Sequence, residues 1–251
     1  MLALPALLLM ALAAWAVATA RRNAGLVDIV WPLFFLAAAM VHFAYGAQAA
    51  PRAWLVLTLT AIWALRLSIY LALRNWGAVE DHRYRAIRAR NQPGFAWKSL
   101  YLVFGLQAVL AWLVSAPLAA AISAPAPLGA ADALGAAMVA FGIVFESTAD
   151  AQLARFKGDP ANAGQVMDRG LWRYTRHPNY FGEFCVWWGM FAIAVGGGAW
   201  WTVFSPLLMS LLLLRVSGVA LLEKDIGERR PAYREYMART NAFIPGPARR
   251  A

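Results

Sequence analysis

Seven long apolar stretches follow one another along the chain, with short polar connections between them. A helix needs roughly 20 mainly apolar residues to cross the hydrocarbon core of a bilayer, and each stretch reaches or approaches that length. Three consecutive glycines at 196–198 divide the last two stretches and predict a tight helical hairpin. The pattern predicts an all-α, polytopic integral membrane bundle of seven transmembrane helices, built as one membrane domain over residues 1–251. The stretches cover about residues 2–20, 26–47, 53–73, 100–123, 128–150, 181–199 and 201–222.

The basic residues are distributed unevenly over the connections. The first, third and fifth connections and the tail contain nearly all the Lys and Arg residues outside the apolar stretches, whereas the alternate connections contain only Arg52. Because cytoplasmic loops are enriched in Lys and Arg, seven helices place the N-terminus outside and the C-terminus in the cytoplasm. Arg21 and Arg22 follow the first stretch and no basic residue precedes it, which favours a retained helix over a cleaved signal peptide.

Composition agrees with this interpretation. The chain is 61% hydrophobic and carries a formal net charge of +10. On a soluble protein that charge would indicate nucleic acid, but here the basic residues flank apolar stretches, so we predict contact with membrane lipids and no nucleic-acid partner. The single cysteine, Cys185, lies in an apolar stretch, so no disulfide within the chain and no metal site are predicted.

Polar residues are concentrated where the sixth stretch begins, at 170–183. Polar groups are costly at membrane depth, so this concentration predicts a functional site. Pro178 predicts the start of a helix, and a helix N-terminus surrounded by basic side chains suits an anionic phosphate. The residues concerned are Arg173, Tyr174, Arg176, His177, Asn179, Tyr180 and Glu183.

The end of the fifth stretch carries a second polar pattern. Glu146, Asp150 and Lys157 recur at spacings of four and seven residues, which puts them on one helix face. This pattern fits either a binding face or a helix end that becomes solvated. After the last stretch, which ends near Glu223, the tail is predicted to lie on the membrane surface or to fold back as a lid with Tyr233 or Tyr236 reaching in.

The third stretch presents Trp63, Arg66, Tyr70 and Arg74 on one helix face. The connection after it supplies donors and acceptors suited to ribose hydroxyls and phosphates, unless its charges reflect topology alone. In the second stretch, Asp28 is either an interfacial residue or a buried acid able to donate a hydrogen bond to a carbonyl oxygen. The residues of the connection that supply these donors and acceptors are Asn75, Glu80, Asp81, Arg83 and Tyr84.

The motif Gly-Leu-Trp-Arg-Tyr, followed after three residues by Pro-Asn-Tyr-Phe-Gly-Glu, resembles the C-terminal signature of the steroid 5-alpha-reductase family. The acidic pair at 146 and 150 and the Phe-Ile-Pro of the tail share this resemblance, which covers a signature region at 140–247 and looks most like the bacterial members. The resemblance implies an NADPH-dependent enzyme of the bacterial inner membrane, with its cofactor site facing the cytoplasm. It further implies hydride transfer to the carbon–carbon double bond of a lipid-like enone, such as a 3-oxo-Δ4-steroid, that enters from the bilayer.

Carried over residue by residue, Asp150, Asn179 and Glu183 match cofactor contacts of the family. Glu146 stands where the animal enzymes have Asn, and Lys157 stands where they have Arg. Those enzymes hold the 3-keto group with a Glu on helix 2 and a Tyr on helix 3, whereas this chain has Asp28 and Trp63. The predicted catalytic residues are Asp28, Tyr70, Tyr180 and Glu183. The predicted NADPH contacts are Arg66, Arg74, Asn75, Asp81, Arg83, Tyr84, Glu146, Asp150, Lys157, Arg173, Tyr174, Arg176, His177, Asn179, Tyr180, Glu183 and Glu223.

Two other functions compete with this one. The motif Arg-His-Pro-x-Tyr-x-Gly at 176–182 also resembles isoprenylcysteine and phospholipid methyltransferases, which bind S-adenosylmethionine. Asn179 before the tyrosine and Glu183 after the glycine favour the reductases. The third possibility is a non-catalytic lipid-binding membrane protein. No oligomeric state is predicted.

Overall fold

The computed structural model describes residues 2–46, 50–216, 218–223 and 226–247. Within these ranges every regular element is helical, and six helices are long and apolar enough to cross a membrane. This confirms an all-α membrane bundle. The six are Ala3–Ala20, Ala24–Tyr45, Pro51–Asn75, Phe95–Val114, Ala130–Gly158 and Trp200–Glu228.

The sixth predicted stretch forms a helix that is not among these six. It begins at Pro178, as predicted, and runs to Gly196, a length of 19 residues. Its first two turns carry Asn179 and Glu183, which dilute the apolar character of the helix. A count of seven spans, and the orientation that depends on it, therefore stay predictions.

The chain divides into two compact units. Unit 1 consists of Met1–Asp132 and Ile193–Thr202, and unit 2 consists of Ala133–Ala192 and Val203–Ala251. The helices of unit 1 are α1 (Ala3–Ala20), α2 (Val27–Tyr45), α3 (Pro51–Asn75), α4 (His82–Arg90), α5 (Phe95–Ser99), α6 (Leu106–Val114) and α7 (Ala116–Ser123).

The fourth apolar stretch of the sequence differs from the prediction at both ends. Its helix begins at Phe95 rather than at 100, because α5 continues through a π-helical segment, Leu100–Gly105, into α6. At the other end, Ser115 separates α6 from α7, and Pro117 lies in the first turn of α7. Proline is tolerated in a first turn because the N–H that it lacks has no helical partner there.

The core of unit 1 lies between α2 and α3. Phe34, Phe35 and Trp63 are buried there, and the rings of Phe35 and Trp63 meet at 5.6 Å in an edge-to-face arrangement. The Ser68 hydroxyl donates a 2.8 Å hydrogen bond to the Ile29 carbonyl. Such a side-chain bond satisfies a hydroxyl that would otherwise be costly to bury between membrane helices.

A buried ion pair closes one end of unit 1. Arg52 in the first turn of α3 is 0% exposed and donates to both carboxylate oxygens of Asp132, at 2.7 and 2.8 Å. Its remaining donors reach the carbonyls of Ala126, Pro127 and Gly196 at 2.8–3.0 Å. We call Arg52, Asp132 and these three carbonyls the Arg52 cluster. It joins four separate places of the chain.

Unit 2 is built on α8 (Ala130–Gly158) and α9 (Pro178–Gly196), which touch through glycines. A Cβ atom at Gly182 would lie 2.7 Å from the Gly142 carbonyl oxygen, and one at Gly189 would lie 2.7 Å from the Gly135 carbonyl oxygen. Small residues let membrane helices approach closely. The later helices of unit 2 are α10 (Phe204–Leu211), α11 (Val219–Glu223), α12 (Ile226–Arg229) and α13 (Ala232–Arg239), with a π-helical segment at Leu212–Val216.

Candidate functional site

The predicted site residues fall into two groups, one in each unit. Unit 1 holds Asp28, Arg66, Tyr70, Arg74, Asn75, Asp81, Arg83 and Tyr84. Unit 2 holds Glu146, Asp150, Lys157, Arg173, Tyr174, Arg176, His177, Asn179, Tyr180, Glu183 and Glu223.

The motif of unit 2 is anchored on α8 before α9 begins. It opens with a 3₁₀ helix, Gly170–Arg173, whose first residue has a left-handed φ of 58°. The Leu171 amide donates to the Gln152 side chain at 2.9 Å, and the Trp172 indole N–H donates to the Ala149 carbonyl at 3.0 Å. These two bonds fix the approach of the motif to the acidic end of α8.

Three charged or titratable residues meet at the start of α9. Arg176 donates through Nε and Nη2 to the two oxygens of Glu223, both at 2.7 Å. His177 Nε2 lies 2.8 Å from the same carboxylate, at Oε1. Burial alone would lower the pKa of Arg176, but the hydrogen bonds and charge of Glu223 raise it above its ordinary value. We call Arg176, His177 and Glu223 the motif cluster.

The C-terminal tail packs on this motif within unit 2. Arg176 Nη1 donates to the Met237 carbonyl at 3.0 Å and to the Thr240 carbonyl, and the Arg176 amide donates to the Asn241 carbonyl at 2.9 Å. The buried Tyr236 hydroxyl donates to the Trp172 carbonyl. The tail is therefore folded back onto the motif, and Tyr236 is bonded to it through Trp172.

Acidic side chains are buried where α8 and α9 meet. Glu146, Asp150 and Glu183 are each less than a tenth exposed, and a Cβ atom at Gly182 would lie 2.7 Å from the Cβ of Glu146. The close glycine contact therefore brings Glu146 of α8 against the helix that carries Glu183, and Asp150 follows Glu146 on the same helix. Lys157 lies exposed near the end of α8.

Asn179 lies in the first turn of α9, and Arg173 lies before that helix, in the 3₁₀ helix. Within the described residues, the Asn179 amide and the exposed Arg173 guanidinium make no hydrogen bond or ion pair with another side chain. The Tyr180 ring stacks on the His177 ring, with centroids 5.6 Å apart. An amide and an aromatic face at a helix N-terminus, and a guanidinium on the segment that leads to it, are groups that can bind an anionic or nucleotide-like ligand.

Asp28 in unit 1 is held by residues of the following polar connection. Tyr84 donates its hydroxyl proton to Oδ1 of Asp28 at 2.5 Å, and Arg83 donates to Oδ2 at 3.2 Å. Asp28 is 22% exposed, so it is a half-buried, paired acid rather than a solvated interfacial one. Burial, reinforced by the charge of Asp28, raises the pKa of the Tyr84 hydroxyl well above its ordinary value.

Sequence reasoning missed Gln107 in this group. Its side-chain amide donates to the Tyr84 hydroxyl at 3.4 Å, from the helix α6. The signal was present, since Gln107 is a lone amide within an apolar stretch, and such groups need partners in a membrane.

The predicted face of α3 is present in the structure. The guanidinium carbons of Arg66 and Arg74 lie 5.6 and 5.5 Å from the Tyr70 ring centroid, within cation–π range. Arg74 also donates to the Asn75 side chain at 2.9 Å. Asp81 caps the next helix by accepting the Arg83 amide at 2.9 Å. Burial opposes ionisation of Asp81, but this bond and the Arg83 charge lower its pKa overall.

Comparison with known proteins identifies the family. Residues 14–240 match the family described as "Protein of unknown function (DUF1295)". The chain belongs to this family. It is also similar to the uncharacterized protein C594.04c of Schizosaccharomyces pombe, with 27% identity over 262 residues that cover 92% of this chain and 75% of that protein. No solved structure matches.

The side chains at this site offer hydrogen-bond donors and acceptors. Within the described residues, no group of three or more His, Cys, Asp or Glu side chains is arranged to hold a metal. Arg173 and Asn179 offer donors for phosphate and amide groups, and the buried carboxylates of α8 and α9 offer acceptors for ribose hydroxyls. The predicted NADPH contacts by Arg176, His177 and Glu223 stay predictions. In the structure Glu223 binds both Arg176 and His177, and Arg176 also binds the tail.

Proposed function

We propose that this DUF1295 protein is a membrane oxidoreductase that transfers a hydride from NADPH to the double bond of a lipid-like enone, such as a 3-oxo-Δ4-steroid. One observation carries the proposal. The residues that resemble the reductase signature come from two segments of the chain, and the glycine contact sets Gly182, the neighbour of Glu183 on α9, against Glu146 on α8. The proposal includes α9 as a seventh span, an N-terminus outside, and a site facing the cytoplasm of the bacterial inner membrane.

The cofactor fits the chemistry of the donors present. Arg173 and Lys157 would neutralise phosphates, because a guanidinium or ammonium group forms charge-assisted hydrogen bonds with them. Asn179 would bind an amide or hydroxyl group, and Asp150 or Glu183 would accept from ribose. When bound, NADPH supplies the hydride, which is the difficult part of the chemistry. The protein supplies position and an environment from which water is excluded.

In unit 1, Asp28 is proposed to serve the proton side of the reaction. Tyr84 and Arg83 fix its carboxyl group by hydrogen bonds, so its orientation is set before a substrate arrives. Tyr70 in unit 1, and Tyr180 and Glu183 in unit 2, are the other residues of the proposed catalytic set. Asp28→Asn should preserve cofactor affinity and lower the rate of NADPH oxidation with a 3-oxo-Δ4-steroid, and an unchanged rate would remove Asp28 from that set.

A binding titration on the purified full chain in lipid nanodiscs tests the reaction class. We expect saturable binding of NADPH, weakened about tenfold by Arg173→Ala and by Asn179→Ala, since each removes a hydrogen-bond donor for the cofactor. Arg155→Ala removes an exposed positive charge from the last turn of α8 and is the matched control. Equal weakening by all three changes would argue against a site at the start of α9.

The second candidate is an S-adenosylmethionine-dependent membrane methyltransferase of a lipid or isoprenylcysteine substrate. The contact of Arg176 and His177 with Glu223 favours it, because it joins the Arg-His-Pro motif to the acidic end of the last apolar stretch. Protein that binds S-adenosylmethionine and not NADPH would establish this candidate and refute the first. Protein that binds neither would support a non-catalytic lipid-binding role.

A further inference from the structure

A cavity of about 370 Å³ lies in unit 1, and none of the residues that line it belongs to the predicted site. Its walls come from the end of α1, the residues before α2, the end of α4 and the start of α5. Its polar lining includes Thr19, Arg22, Arg88 and Gln92, and its apolar lining includes Phe95 and Phe104. All of these residues belong to one compact unit.

The two arginines of this cavity differ in whether the described residues supply a partner for their charge. Arg88 donates to both oxygens of Glu80, at 2.9 and 2.7 Å, so its charge is paired. Arg22 is exposed, and within the described residues its guanidinium makes no hydrogen bond, ion pair or ring contact. Its backbone adopts a left-handed φ of 53°, which is uncommon for a residue other than glycine. The cavity therefore has a net positive lining.

The neighbouring Arg21 is arranged differently. Its guanidinium carbon lies 4.2 Å from the centroid of the Trp76 ring, which is a cation–π contact within the protein. Arg21 does not line the cavity. Two adjacent arginines of equal charge thus have separate environments, which makes them a matched pair for experiment.

The cavity opens where two apolar helices reach their polar ends. It lies at the end of Ala3–Ala20 and at the beginning of Phe95–Val114, both long and apolar enough to span a membrane. Beside it, the rings of Trp15 and Trp97 meet at 5.1 Å, and Trp15 donates to the Ala96 carbonyl at 2.7 Å. Trp97 is 70% exposed. Tryptophan is enriched at the level of lipid headgroups, so these rings indicate the same depth for the cavity.

We propose that this cavity binds the phosphate of an anionic phospholipid. Arg22 binds the phosphate, while Thr19 and Gln92 supply further hydrogen bonds. The glycerol end of the acyl chains lies against the apolar wall formed by Phe95 and Phe104. Basic pockets at the membrane surface favour such headgroups, because the phosphate gains a charge-assisted partner while its chains stay in the bilayer. This site is independent of the proposed reductase function.

Native mass spectrometry of the delipidated full chain tests the site, with phosphatidylglycerol as the probe. We expect one phosphatidylglycerol to bind before the others. Arg22→Asn should weaken this binding about tenfold, since it removes a charge-assisted hydrogen bond, whereas Arg21→Asn should change it by less than about twofold. Asparagine tolerates the left-handed backbone at position 22, so both variants should unfold at similar temperatures. Phosphatidylcholine of the same chain length should bind more weakly than phosphatidylglycerol.

Several outcomes would overturn the proposal. Equal weakening by Arg21→Asn and Arg22→Asn would indicate attraction to net charge rather than a site. Equal binding of the two lipids would exclude a preference for anionic headgroups. Displacement of phosphatidylglycerol by millimolar inorganic phosphate or glycerol 3-phosphate would assign the cavity to a soluble phosphate instead.

Discussion

Two buried arginines of this protein bind a carboxylate in the same way and differ in what surrounds them. Arg52 in unit 1 and Arg176 in unit 2 each donate to both oxygens of one acidic residue and to backbone carbonyls. The Arg52 cluster is closed, since Arg52 and Asp132 are almost fully buried. The motif cluster contains a titratable histidine, remains partly exposed, and receives a chain segment from the tail.

The difference indicates that the same arginine–carboxylate pairing serves two purposes in this protein. A closed cluster fixes helix ends, because Arg52 binds both the Asp132 carboxylate and carbonyls from other parts of the chain. A cluster that holds a terminal segment can be loosened without unfolding the helices beneath it, because terminal segments open locally at a lower free energy than the core does. We therefore expect damage to the Arg52 cluster to act on global stability, and damage to the motif cluster to act locally.

The largest effect should follow from removing Arg52. Arg52→Ala leaves Asp132 buried without its cation, and breaking a buried ion pair in this way costs about 3–5 kcal/mol. Unfolding of the purified protein in mixed micelles, followed by circular dichroism, measures the loss. The free energy of unfolding of Arg52→Lys should lie between those of the wild type and Arg52→Ala, because an ammonium group cannot reproduce the planar fork of a guanidinium.

The double change Arg52→Met with Asp132→Leu is the informative control. It removes both charges, so it should recover much of the stability that the single change loses. If Arg52→Ala lowered the free energy of unfolding by less than about 1 kcal/mol, this cluster would not be stabilising the whole fold.

The second effect concerns the tail. Arg176→Ala removes the donors that bind the Met237 and Thr240 carbonyls, and Glu223→Gln weakens the hold on Arg176. Hydrogen bonds to charged groups contribute about 1.5–3 kcal/mol. Amide exchange in α13 should therefore accelerate about tenfold or more, while exchange in α8 stays unchanged.

Arg239→Ala is the control for this experiment. Its pair with Asp168 is exposed, and exposed pairs contribute little. Acceleration in α8 as well as in α13 would show that the motif cluster, like the Arg52 cluster, supports the whole fold.

A third effect comes from the glycine that precedes Glu183. Gly182→Ala places a Cβ atom 2.7 Å from the Gly142 carbonyl oxygen, so α8 and α9 must separate. Overpacking of this kind costs about 1–3 kcal/mol. Gly158→Ala meets nothing within 4 Å and is the matched control at the end of α8. We expect Gly182→Ala also to weaken NADPH binding, and unchanged binding would separate the glycine contact from the proposed site.

The comparison of the two clusters also explains what the sequence could predict. Local features were accessible, such as the start of α9 at Pro178 and the common face of Glu146 and Asp150, because helix periodicity and proline chemistry act over a few residues. Asp132 was not predicted as the partner of Arg52, from which it is separated by 80 residues. Helix packing decides such a pair. The signal was faint: Arg52 is the one basic residue of the alternate connections.

The same reason applies to the candidate site. Sequence reasoning assigned Arg176 and His177 to an anion, because basic residues at a helix N-terminus favour one. It could not foresee that Glu223, 47 residues away from Arg176, supplies the negative charge from within the protein. Arg173 and Asn179, which carry no such partner among the described residues, are consequently the sharper candidates for a ligand.

The smallest expected effect concerns Glu80, whose ion-pair partner Arg88 is more exposed than the arginine of either cluster. Burial would raise the pKa of Glu80, but hydrogen bonds from Arg88 and the Ala24 amide lower it below the ordinary value of 4.5. A group whose pKa is lower in the folded state stabilises that state above its unfolded pKa, and this contribution disappears as the pH falls through the folded value. At neutral pH the free energy of unfolding of the wild-type chain should therefore exceed that of Glu80→Gln by about 1 kcal/mol. The difference should shrink as the pH falls below 4.5. Unfolding of both proteins in the same micelles across this range measures it, and a difference independent of pH would exclude the charge of Glu80 as its source.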